Sequence, residues 1–86
     1  MPIEYKKNLA AFQDVVGVDE AESLLEWLQN NKAAKVDLAA CAHLHTANLQ
    51  VLMAAGPKIF AWPENLALRG WLEPVLKRSI RENHHA

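Results

Sequence analysis

The spacing of apolar residues changes twice between residues 34 and 62, and this change narrows the folds open to the chain. In AKVDLAACAHLH (34–45), Val36, Leu38, Ala40, Ala42 and Leu44 recur at every second position. That is the period of an extended strand. From Thr46 the period is helical, with Leu49, Leu52 and Met53 on one side and Val51 and Ala55 flanking them. Gly56 and Pro57 then supply a helix stop, glycine at the C′ position and proline just beyond it. KIFAW (58–62) is a short apolar run between Pro57 and Pro63 and reads as another strand. Strand (about 35–39), helix (46–55) and strand (58–62) form a right-handed βαβ unit, so its two strands are expected as parallel neighbours.

The remainder extends this pattern. IEYKKN (3–8) reads as a strand, because Ile3 and Tyr5 alternate with charged residues. LAAFQDVVG (9–17) is ambiguous by period, and Val15-Val16 followed by Gly17 tips it towards a second strand. A helix follows, with Asp19 as expected N-cap and Glu22 completing a capping-box-like pair. Its stripe is Ala21, Leu24, Leu25 and Leu28, with Trp27 half-buried at the edge and NNK (30–32) as the stop. Pro63-Glu64 is expected to open a last helix, with Leu66, Leu68, Trp71, Leu72, Val75 and Leu76 as its apolar surface. Pro74 is expected to kink or restart that helix, and RENHHA (81–86), with His84 and His85, to fray. The fold class is α/β: about four strands in a mixed sheet, with helices mainly on one face. A single domain spans 1–86, its core about 3–76 and its C-terminal helix end and tail 77–86.

Composition sets outer limits. The chain has 86 residues, 51% of them hydrophobic, enough for one small core. No apolar run approaches the roughly 20 residues of a membrane span, so a cytoplasmic chain without membrane insertion is expected. One cysteine, Cys41, excludes an internal disulfide. Residues 1–45 carry four Lys and seven Asp/Glu, and residues 46–86 five Lys/Arg and three Asp/Glu. That balance is too mild to mark a nucleic-acid surface. No Ser/His/Asp triad or suitably spaced carboxylate pair is present, so neither an enzyme nor a cofactor is expected.

In open α/β sheets, ligands and partners meet the loops beyond the carboxyl ends of the strands. Residues 40–46 are expected to form such a loop, feeding the helix that starts at 46. Thr46 has the side chain of an N-cap and is also a candidate phosphoacceptor. Cys41, His43 and His45 would share one strand face and are metal-ligand types, but no Asp or Glu lies in the loop to complete a zinc set.

With this order and loop in hand, the sequence resembles a STAS domain, the module of sulfate transporters and anti-sigma factor antagonists. Val36-Asp37-Leu38-Ala39 matches the family's V-D-L-S strand, and His45-Thr46-Ala47-Asn48-Leu49 lies where D-S-S-G-L falls, with Leu52 matching the later leucine. PKIFAW and ENLALRGWL fit the segment after it, and LQVLMAA resembles small stand-alone STAS proteins encoded beside bacterial chemotaxis and two-component systems. The departures are specific. His45 replaces the acidic residue, Ala47 the phosphorylated serine, and Asn48 the glycine that lets a partner approach.

The resemblance implies a STAS-like fold and a non-enzymatic interaction module in bacterial signalling, lacking the usual serine phosphoswitch. It would dock an anti-sigma-type kinase or a chemotaxis component through residues 41–52, with His43, His45, Thr46, Ala47, Asn48 and Leu49 as the contact set. Two alternatives stand beside it. One is a metal- or small-ligand-sensing module built on Cys41, His43 and His45. The other is the STAS subunit of a lipid or anion transport system. Oligomeric state is left open, a dimer included.

Overall fold

A computed structural model describes the backbone of residues 2–83 and the side chains of residues 2–79. His84 and His85 lie outside the described residues. Four strands form one sheet in the order β1-β2-β3-β4: β1 (Ile3–Tyr5), β2 (Leu9–Val16), β3 (Lys35–Leu44) and β4 (Lys58–Ala61). β1 pairs antiparallel with β2, whereas β2–β3 and β3–β4 are parallel. The expected βαβ unit is present, and its helix α2 (Thr46–Ala55) has the expected limits. Gly56 adopts the left-handed conformation at φ 61°, and its N–H donates to the Leu52 carbonyl at 2.9 Å. This is the stop that Gly-Pro announced.

The helices lie on one face. Ile3, Ala10, Phe12, Val36 and Leu38 are buried, and they occupy paired rows, Ile3 opposite Phe12 and Ala10 opposite Val36. Glu4, Gln13 and Lys35, of the opposite parity, are exposed, and Ala11 and Asp37 are half-exposed. Helix α1 (Ala21–Asn30) packs against α2, and α3 (Leu66–Asn83) packs against α2 and β3. Leu24, Leu28, Leu52, Leu68, Leu72 and Leu76 close the core over the sheet. Trp27 is half-buried as expected and stacks on Tyr5, with ring centroids 5.1 Å apart.

The helix starts differ from expectation in a consistent way. Asp19 caps nothing: Val18–Glu20 forms a short 3₁₀ turn, and α1 begins after it with no side-chain cap. The last helix starts at Leu66 rather than at Pro63-Glu64, because the Asn65 carboxamide oxygen accepts the Leu68 N–H at 2.9 Å. Pro63 is buried, and the Glu64 N–H is held by the Ala39 carboxyl-side carbonyl oxygen at 3.1 Å. Glu64 is therefore tied to β3, and neither residue opens the helix. Pro74 sits within α3, which continues through it to Asn83. At the far end of α1 the Asn31 carboxamide donates to the Trp27 carbonyl at 2.9 Å, making NNK the stop.

Leu38 is fully buried, whereas Phe60 is 62% exposed on the open face of the sheet. Leu38→Ala should therefore lower unfolding stability by about 2–5 kcal/mol, and Phe60→Ser should stay within about 0.5 kcal/mol, measured by urea denaturation.

Candidate functional site

The carboxyl ends of β2 and β3 form the corner from which α1 and α2 start. Strand β3 runs to Leu44, so the expected loop at 40–46 shrinks to the single residue His45. The extension comes from β2, which continues to pair with it: Asp14 faces Cys41, Val15 faces His43 and Val16 faces Leu44. Register slips between Ala11 and Gln13 and again between Asp14 and Val15, each time with one extra residue in β3. These are β-bulges, and each reverses the in-out order of the side chains after it. The buried residues of β3 are consequently Val36, Leu38, Cys41 and Leu44 rather than a strict alternate set. Asp14 sits at the second slip with φ 51°, a left-handed conformation that aspartate tolerates better than most residues.

The bulges separate the residues expected to share a face. Cys41 is 1% exposed, and its thiol donates to the His43 carbonyl oxygen at 3.5 Å. Burial pushes that thiol up to about 11. His43 and His45 are exposed. A joint metal site of Cys41, His43 and His45 therefore does not form, since the sulfur points into the core and the imidazoles point to solvent. Among the described residues no group of three His, Cys, Asp or Glu is placed to hold a metal ion.

The cap of α2, though not the helix itself, lies one residue earlier than expected. His45, not Thr46, is the N-cap: its Nδ1 accepts the Ala47 N–H at 3.0 Å. Nδ1 must carry a lone pair to do so, which leaves the Nε2–H tautomer facing outward. Thr46 becomes the first helical residue, exposed and free of a capping duty. The N–H groups of Asn48 and Leu49 both point to the His45 carbonyl, at 2.9 and 3.2 Å. Three donors of the helix start are thus already engaged, and little is left to cradle an anion.

Asn48 is wholly buried, which removes it from any contact surface. Its carboxamide nitrogen donates to the carbonyls of Gly17 at 2.7 Å and Val16 at 3.3 Å, fastening α2 to the end of β2. Its Oδ1 is buried with no hydrogen-bond partner. Leu49 is half-buried and packs against the core, so it anchors the helix more than it presents a surface. The accessible part of the expected contact set is His43, His45 and Thr46, with Ala47 half-exposed.

Two neighbours absent from that set complete the corner. Val15 and Val18 are 58% and 57% exposed, and Val15 lies directly opposite His43. For Val15 the sequence signal was the Val15-Val16 pair: adjacent residues of one strand point to opposite faces, so only one could enter the core. Asp14, Asp19 and Glu22 are exposed around them, and Glu20 is half-exposed. The corner is thus a small apolar and imidazole surface with an acidic rim.

Comparisons with family models, curated proteins and solved structures return no match. The chemistry of the corner and the resemblance of its sequence therefore carry the functional argument.

Three outcomes check this description. Asn48→Ala should destabilise the fold by about 1–3 kcal/mol, because two carbonyls lose their shared donor. His45→Ala should cost about 1 kcal/mol and His45→Asp should restore it, read from thermal melts. The alkaline limb tests Cys41. Its folded-state pKa is raised, so the associated stability is intact below the ordinary thiol range and is lost as pH rises towards about 11. Cys41→Ala should flatten that part of the stability–pH curve.

Proposed function

We propose that the chain is a STAS-like protein-interaction module of bacterial signalling, with no catalytic role, that docks its partner through Val15, Val18, His43, His45 and Thr46. The observation that carries the reading is the exposure of Val15 and Val18 beside two exposed histidines, at the carboxyl ends of two parallel strands. Apolar side chains clustered at a rigid corner gain free energy when a partner covers them, and a polar rim gives selectivity. The sequence of this corner is also the part that resembles the STAS signature. An anti-sigma-type kinase or a chemotaxis component is the partner class that the resemblance implies. The acidic rim of Asp14, Asp19 and Glu20 suits a partner with basic residues around its contact.

The family's serine position is Ala47, so this module works without a serine switch. Thr46 offers the nearest hydroxyl, exposed on the first helical turn. A phosphate there would add about −1.5 to −2 charges beside the two histidines.

Affinity capture with the folded protein as bait tests the surface. Proteins held by the wild type should be lost with Val15→Asp or Val18→Asp and retained with Phe60→Asp. Equal capture by all four baits rejects the corner as the docking surface. If Thr46 is a phosphoacceptor, Thr46→Glu should release the captured partner and Thr46→Ala should keep it.

A further inference from the structure

The topology sorts charge along the sheet axis in a way the linear sequence conceals. The connections at the amino ends of the parallel strands are residues 6–8, 31–34 and 56–57. They contain Lys6, Lys7 and Lys32, no aspartate and no glutamate, and the strands leaving them begin with Lys35 and Lys58. Five of the chain's six lysines therefore gather at one end of the molecule. The opposite connections, 17–20, 45 and 62–65, contain Asp19, Glu20 and Glu64 and no lysine or arginine. A chain with a net charge of −1 is thus strongly bipolar.

Within the basic end, Lys32, Lys35 and Lys58 line a cleft of about 510 Å³. Leu28, Ala34 and Pro57 give it apolar walls. Lys35 and Lys58 are direct cross-strand partners of the β3–β4 pair. Like charges set opposite each other oppose folding. Among the described residues, none of Lys7, Lys32, Lys35 and Lys58 has a carboxylate within ion-pair distance, and of the five lysines at this end Lys6 alone reaches one, Glu4 at 3.8 Å. Helices α1 and α2 both end here, and a helix C-terminus favours a nearby cation. That accounts for Lys32, one residue past the cap of α1, and for Lys58, two residues past the Gly56 cap of α2. It does not account for Lys35, set directly opposite Lys58 across the sheet.

We propose that this cleft binds a soluble small molecule carrying two or more adjacent phosphate groups. Three lysines without a carboxylate partner line this one cleft, and they call for a compact anion with several charges, which a single carboxylate does not supply. Lysine serves phosphate as a mobile point charge, and a cleft of this size lies within the usual range for small-ligand sites. The apolar walls suit the organic part of such a molecule. The site is at the opposite pole from the docking corner and does not depend on the reading of that corner. Its occupation would remove the like-charge repulsion between β3 and β4.

Calorimetric titration with inorganic tripolyphosphate at constant ionic strength is the test. Saturable binding is expected, with a rise in Tm, and the double variant Lys35→Gln/Lys58→Gln should weaken it at least tenfold. The ligand-free double variant should melt at the same temperature as the wild type or higher, because repulsion has been removed, so loss of binding would not reflect misfolding. Lys77→Gln, on α3 away from the cleft, should bind as the wild type does. The proposal is overturned if tripolyphosphate does not saturate, if Lys77→Gln weakens binding as much as the double variant, or if only anionic-lipid vesicles or duplex DNA bind.

Discussion

Parallel pairing of β2 with β3 over nearly the whole of both strands governs the rest of this molecule. These are the two central strands, and they supply Ala10, Phe12, Val16, Val36, Leu38, Cys41 and Leu44 to the core. Eight residues of β2 and ten of β3 share one ladder, and two bulges absorb the difference. Without those bulges the even-numbered alanines of β3 would face the helices and Cys41 would face solvent. With them, the chain buries Cys41 in place of Ala40 and Ala42, and the second bulge restores the order that leaves Leu44 inward and His43 outward. Which side chains accompany the histidines at the corner is thus a consequence of register.

The same pairing explains why Asn48 occupies the core at no exposure. The carbonyls of Val16 and Gly17 lie where β2 leaves the sheet, and α2 must begin immediately beside them. A carboxamide on the first turn of α2 donates to both, so strand end and helix start are held as one unit. The side chains left accessible are those of His43, His45 and Thr46, together with Val15 and Val18 from the neighbouring segment. On α3 the Glu73 carboxylate bridges Arg69 at 2.8 Å and Lys77 at 2.6 Å, which holds it below its usual range. Those cations are therefore engaged, in contrast to the lysines of the cleft.

Much of the fold was legible from local signals. Alternation marked β3, a helical period between Thr46 and a Gly-Pro stop marked α2, and a short apolar run between prolines marked β4. The Val15-Val16 pair favoured a strand for β2, and that assignment holds. The site was less legible. Bulges leave no local mark in β3, whose small residues suit either face, so Cys41 appeared to share a surface with the histidines. A histidine was not an expected cap when a threonine followed it, because side-chain geometry at the helix entry decides which one can reach the Ala47 N–H. The lysines of the basic pole lie at positions 6, 7, 32, 35 and 58, and summing charge over halves of the chain spread them into the background.

By itself the sequence determined the element types, the order of α2 between two parallel strands, and the amount of apolar surface to be buried. Those properties depend on residues within a few positions of one another, where periodicity, caps and stops act. Only the tertiary structure decided which residues of β3 face inward, that Asn48 fastens a helix to a strand, and that lysines far apart in sequence meet around one cleft. Each of these depends on pairing between segments separated by some tens of residues. Register and strand order, which no local pattern encodes, set them.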